Sequence, residues 1–179
     1  MRWIIGIFLS ALAMFLWGFV FFGSGLFELH NPVQAESETQ IADTLRKNLP
    51  RSGFYMIPDP GNDSARPFGE RMQAGPFARI HFHAEGVAFE DPRVMGRGFL
   101  HMLLTCALFS LALRLLARDC PEYLDRLKIA AIFGLGAAVF AHLGGPIWWF
   151  ETWGQALKLT AYDTVAYILA GAILAKFTD

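Results

Sequence analysis

Four stretches of the chain are almost free of charge. Residues 3–27 and 129–149 hold no Asp, Glu, Lys or Arg, residues 98–117 hold only Arg114 of these, and residues 159–177 hold Asp163 and Lys176. A membrane-crossing helix needs roughly 20 mostly apolar residues, so each stretch predicts one span. The fourth is the least apolar of them because Asp163 falls inside it. The polar material lies chiefly between the first two spans, where residues 28–97 carry ten acids and eight bases.

Within that polar segment the periodicity changes several times. Residues 37–48 place Ile41 and Leu45, then Leu49, at helical spacing, with Ser37 as N-cap and Pro50 as the stop. Residues 53–57 read as a short strand closed by the turn-rich residues 58–63, and residues 67–72 as a helical turn. Residues 77–84 are the better strand, with Phe77, Arg79, His81 and His83 on one face. Asp91 and Pro92 then supply the N-cap and first residue of the second membrane helix. The expected fold is an all-α membrane protein: four transmembrane helices with a small extracytoplasmic α/β insertion between helices 1 and 2. The chain divides into 1–27, 28–97 and 98–179.

Composition agrees with this division. The chain has 179 residues, 54% hydrophobic and 17% charged, against about 25% charged in soluble domains. A net charge of −1 gives no electrostatic case for nucleic acid, and two cysteines are too few for a disulfide scaffold. Basic residues orient the helices. Arg114, Arg118, Arg126 and Lys128 lie between or beside spans two and three, while spans three and four are separated by Lys158 alone. With Arg2 and Lys176 on the same side, both termini are expected in the cytoplasm and residues 28–97 outside. Trp148, Trp149 and Trp153 would then form an outer aromatic belt. Val33-Gln34-Ala35 resembles a signal-peptide cleavage site, but the preceding apolar run exceeds the ~7–15 residues of a signal core, so a retained anchor is expected.

Two constellations could carry chemistry. His81 and His83, two apart on a strand, could reach one ion, and Met56, Met72, Met95 and His30 on the same side would suit copper. Against this stand the small number of ligands and an ordinary reading as a strand face. The second constellation is intramembrane: His101, His142 and Asp163 fall in one layer near the outer surface. His101 is followed by Thr105, His142 continues Ala131, Gly134 and Ala138, and Asp163 runs into Ala166 and Ala170. Small residues let membrane helices approach closely, so these stripes are expected to face inward. The layer has three readings: a b-type haem between the two histidines, a metal or proton-relay cluster, or a hydrogen-bonded structural cluster. None of the cofactors is favoured.

Several chemistries are missing from the sequence. There is no CxxC, P-loop, GxSxG or HExxH, and no GxGxxG after a strand, so no catalytic residue is assigned. Cys106 and Cys120 fall at different depths and are not expected to pair. No internal repeat supports a transporter.

Leu49-Pro50, Gly53-Phe54-Tyr55 and Pro58, then Gly75-Pro76, then Trp148-Trp149-Phe150 ahead of Asp163, form a pattern. It resembles that of uncharacterised bacterial four-helix integral membrane proteins with an extracytoplasmic insertion after the first helix. The resemblance implies the architecture and a bacterial inner membrane; it brings no activity and no site residues. The expected function is a non-enzymatic accessory or assembly subunit of a larger membrane complex, with the lipid bilayer and other membrane subunits as partners. The alternative is a haem- or metal-binding redox or copper-handling protein using the intramembrane or outer-strand histidines.

Overall fold

Each of the four uncharged stretches forms a long helix, and the charged segments at their ends become turns of the same helices. The computed structural model describes residues 2–25, 27–62, 64–88, 90–117 and 119–177. Its elements are α1 (Arg2–Gly23), α2 (Ala35–Asn48), β1 (Gly53–Ile57), α3 (Phe68–Ala74), β2 (Ala78–Phe82), α4 (Pro92–Leu116), α5 (Tyr123–His142), α6 (Gly144–Trp148) and α7 (Trp153–Leu174). Arg118 and Asp63, which entered the orientation and turn arguments, lie outside the described residues. Four segments are long and apolar enough to cross a membrane: α1, α4, α5 continued by α6, and α7. The chain is therefore a mostly helical, multi-pass membrane protein with a small two-stranded sheet.

The helices start earlier than the apolar runs because backbone hydrogen bonding continues through polar turns. α4 begins at Pro92, where Asp91 accepts a hydrogen bond from the Arg93 N–H at 2.8 Å. Proline is suited to this first position because its missing N–H has no intrahelical acceptor there. α5 begins at Tyr123, so Asp125, Arg126 and Lys128 occupy its first turns. α5 ends at His142. Pro146 cannot continue its hydrogen-bond ladder, and the chain resumes as α6 after Leu143.

Two compact units result: α1 with α4–α7, and the segment Pro32–Glu90. In the first, α1 lies against both α4 and α7, and α5 lies against α7. The core between them is Ile7, Ala11 and Met14 of α1, Cys106, Phe109 and Leu113 of α4, Ala130 of α5, and Ala166, Ala170 and Leu174 of α7. Two polar side chains of this layer bond across helices, where no water can replace a lost partner, whereas the buried Ser110 hydroxyl has no hydrogen-bond partner among the described residues. Ser10 donates to the Ala170 carbonyl at 3.2 Å, and the Trp17 indole N–H to the Tyr162 carbonyl at 3.1 Å. The Cys106 thiol lies 3.4 Å from the Met14 thioether.

In the second unit, β1 and β2 pair antiparallel with Phe54 opposite His81 and Met56 opposite Arg79. These four share one face, where the Arg79 guanidinium lies 5.3 Å over the Phe54 ring. Arg71 of α3 fastens the turn before it, donating to the carbonyls of Asp59, Asn62 and Arg66. Three boundaries differ from expectation. α2 starts at Ala35, with Gln34 rather than Ser37 at its N-cap position and no side-chain cap bond. α3 runs to Ala74, and β2 stops at Phe82, leaving His83 beyond the strand.

Candidate functional site

α5 and α7 make the tightest pairing of the bundle, because small residues line both facing sides. Residues four apart on a helix share a face, and on α5 one such stripe is Arg126, Ala130, Gly134, Ala138 and His142. Its first four members are buried. α7 answers with Ala166, Ala170 and Gly171, also buried. At two points a glycine of one helix receives a side chain of the other: a Cβ built on Gly134 would collide with the Tyr167 side chain, and one built on Gly171 with that of Ala130. The expected small stripe of α5 is present, but Ala130 takes the buried place assigned to Ala131, which is half-buried.

Each end of this stripe carries a polar side chain that reaches α7. At one end His142 Nε2 lies 2.7 Å from Asp163 Oδ2, with side-chain exposures of 23% and 32%. An ionised carboxylate only accepts, so in that state the Nε2–H donates. The pair holds one proton between two fixed groups and offers a second position at the other imidazole nitrogen. It can therefore clamp α5 to α7. Neighbouring hydroxyls are otherwise engaged: Thr160 donates to Ala156 O at 2.8 Å and Thr164 to Thr160 O at 2.7 Å.

At the other end Arg126, 5% exposed, donates to Cys120 O at 2.9 Å, Pro121 O at 3.0 Å and Ala175 O at 3.3 Å. One guanidinium thus satisfies carbonyls of the α4–α5 loop and of the end of α7. In the sequence Arg126 reads as one of several orienting cations. The signal for its structural role is its register: it continues the stripe of Ala130, Gly134 and Ala138 by one turn.

His101 stands apart from this arrangement. The buried face of α4 is Cys106, Phe109, Ser110 and Leu113, and the His101–Thr105 stripe, expected to face inward, lies beside it with Thr105 half-buried. His101 is exposed, its carbonyl accepts from the Thr105 hydroxyl at 3.0 Å, and its side chain has no partner among the described residues. α4 meets α5 where Phe109 stacks on Phe133 at 5.5 Å. The structure joins His142 to Asp163 and leaves His101 outside that bond.

His81 and His83 belong to the second unit. His81 lies on β2 with its ring 5.0 Å from that of Phe54. His83 follows the strand and its carbonyl accepts from Gly86 N–H at 3.2 Å. Among the described residues no three His, Cys, Asp or Glu side chains are grouped to hold a metal ion.

Fold and site together define a small polytopic membrane protein whose best-built polar feature is the α5–α7 clamp. No known protein family, no curated protein and no solved structure matches the chain.

Proposed function

We propose that this chain is a non-enzymatic accessory or assembly subunit of a larger membrane protein complex. In this reading both termini are cytoplasmic, Pro32–Glu90 is extracytoplasmic, and the membrane is a bacterial inner membrane. The observation that carries it is the make-up of that unit. No described residue of Pro32–Glu90 is buried, and Ile41, Phe54, Ile57, Phe68 and Val87 are exposed. Two short strands and two helices without a core are marginal in water, so their apolar side chains call for a covering surface. The stripe Ile41, Leu45 and Leu49 along α2 is the most continuous of these faces. The His142–Asp163 and Arg126 contacts then serve to hold the carrier helices in one geometry.

The test is affinity purification of the full chain from native membranes in mild detergent, with mass spectrometry of what accompanies it. A defined membrane partner is expected in fixed ratio, and Ile41→Glu with Leu45→Glu should release it while leaving the helical spectrum unchanged. Recovery of a free 20.0 kDa monomer alone would overturn the proposal.

A further inference from the structure

At the end of the bundle where α1 begins and α7 finishes, a cleft of about 400 Å³ opens between α1, α5 and α7. Its walls are Leu9, Tyr123, Ala172, Ile173, Lys176 and Phe177. The Tyr123 hydroxyl is occupied, donating to Ala172 O at 3.3 Å, so the residue presents its ring to the cleft side. The Lys176 ammonium lies 5.6 Å over that ring and has no acidic partner among the described residues. Helix C-termini normally repel anions, through their unpaired carbonyls. Here Arg126 already donates to the carbonyl of Ala175, so that carbonyl does not oppose an anion beside Lys176.

A second cation lies on the helix face that carries Leu9. Arg2 precedes Leu9 by two helical turns and lies on the same face of α1, nearer the helix end. It is exposed and also lacks an acidic partner among the described residues. Between them Gly6 packs on Phe177, whose Cβ would be 2.6 Å from a Cβ built on the glycine. That contact fixes the start of α1 beside the end of α7. The result is an apolar cleft at the end of two spanning helices, with Lys176 in its wall and Arg2 further along the same face of α1, neither with an acidic partner among the described residues.

We propose that this cleft binds an anionic phospholipid, its phosphate held by Lys176 and Arg2 and an acyl chain lying along Leu9, Ile173 and Phe177. Charge selects the ligand: a zwitterionic headgroup brings its own ammonium to a mouth that is already cationic. Basic clefts between spanning helices hold such headgroups in the same physical way.

The full chain, purified in detergent, is mixed with equal parts of phosphatidylcholine and phosphatidylglycerol, stripped of excess lipid, and examined by native mass spectrometry. Phosphatidylglycerol is expected to be retained in preference. Lys176→Gln should cut that preference about fivefold, the value of one cation beside an anionic headgroup. Arg2→Gln should lower it further, and Lys47→Gln on α2 should leave it unchanged. Equal retention of the two lipids by the unaltered chain overturns the proposal, as does an unchanged preference in Lys176→Gln with a native circular dichroism spectrum. Displacement of the lipid by inorganic phosphate alone also overturns it, since a free anion would then fill the site.

Discussion

Gly134 of α5 faces Tyr167 of α7 so closely that no Cβ fits between them. Gly134→Ala must push the two helices apart, and overpacking of this kind costs about 1–3 kcal/mol. Gly136, on the same helix, has nothing within 4 Å of a built Cβ. Gly136→Ala should therefore be neutral or stabilising by up to ~1 kcal/mol, through helix propensity alone. Thermal unfolding of both variants in one detergent separates the two; equal shifts would mean that close approach is not what fixes this seam.

The His142–Asp163 clamp makes a second prediction. His142 and Asp163 are each less than one-third exposed, so removing either strands its partner. Single replacements His142→Ala and Asp163→Ala should each destabilise the bundle. The double variant should cost less than their sum, with a coupling of about 0.6 kcal/mol and at most about 1.7 for one interhelical bond in a membrane. Additive losses would show that the pair contributes nothing as a pair.

How much of this was legible beforehand depends on what each signal measures. β1 occupies the expected residues 53–57 because alternation and Pro58 act locally. The Asp91–Pro92 start of α4 is local chemistry too. The rotation of a membrane helix is different. Leu100, Leu104, Leu108, Leu111 and Leu115 make the exposed face of α4 as apolar as its buried one, so hydrophobic pattern cannot tell lipid from core. Small residues can: they located the α5–α7 seam to within one position, Ala130 for Ala131. His101 carries no such information, since neither its neighbour Thr105 nor its depth says which way α4 turns. Arg126 was hidden for another reason. A cation near a helix end reads as topology, and only the carbonyls brought to it by α7 and the α4–α5 loop make it a structural clamp.

Arg126 accordingly supports a sharper prediction than its neighbours. Arg126→Ala leaves the carbonyls of Cys120, Pro121 and Ala175 without their donor. The loss should be about 2–4 kcal/mol, since each stranded buried group carries a desolvation penalty. Arg126→Lys keeps the charge but not the planar fork, and should fall between. Lys128→Ala is the control, because Lys128 is exposed and pairs with Asp125 three residues away. If Lys restores full stability in a detergent melt, charge rather than the triple bridge is what matters.

Asp91 gives a pH dependence whose sign can be worked out. The Arg93 guanidinium and backbone N–H beside Asp91 hold its carboxyl below the usual carboxylate range. A depressed folded value means that the cap's contribution is complete above the unfolded value of about 3.9 and is lost as pH falls through the folded one. Amide protection in the first turn of α4, at Val94 and Met95, should therefore fall on acidification below about pH 4. Asp91→Asn retains a neutral cap and should show no such fall. The same fall in Asp91→Asn would assign the effect to another group.

Orientation is open to a direct chemical test because the two cysteines and the exposed residues of α2 lie at separated points of the chain. Cys106 is buried in the bundle core, whereas Cys120 is partly exposed in the connection between α4 and α5. Thr39 is exposed on α2. The basic residues Arg114, Arg126 and Lys128 around Cys120 favour the cytoplasmic side for that connection. If so, a membrane-impermeant maleimide applied to intact cells should label Thr39→Cys and leave Cys120 unreacted until the membrane is opened. Cys106 should stay unreacted in both cases until the bundle is unfolded. Labelling of Cys120 in intact cells, with Thr39→Cys protected, would invert the topology. The unit with no buried residue would then face cytoplasmic rather than extracytoplasmic partners.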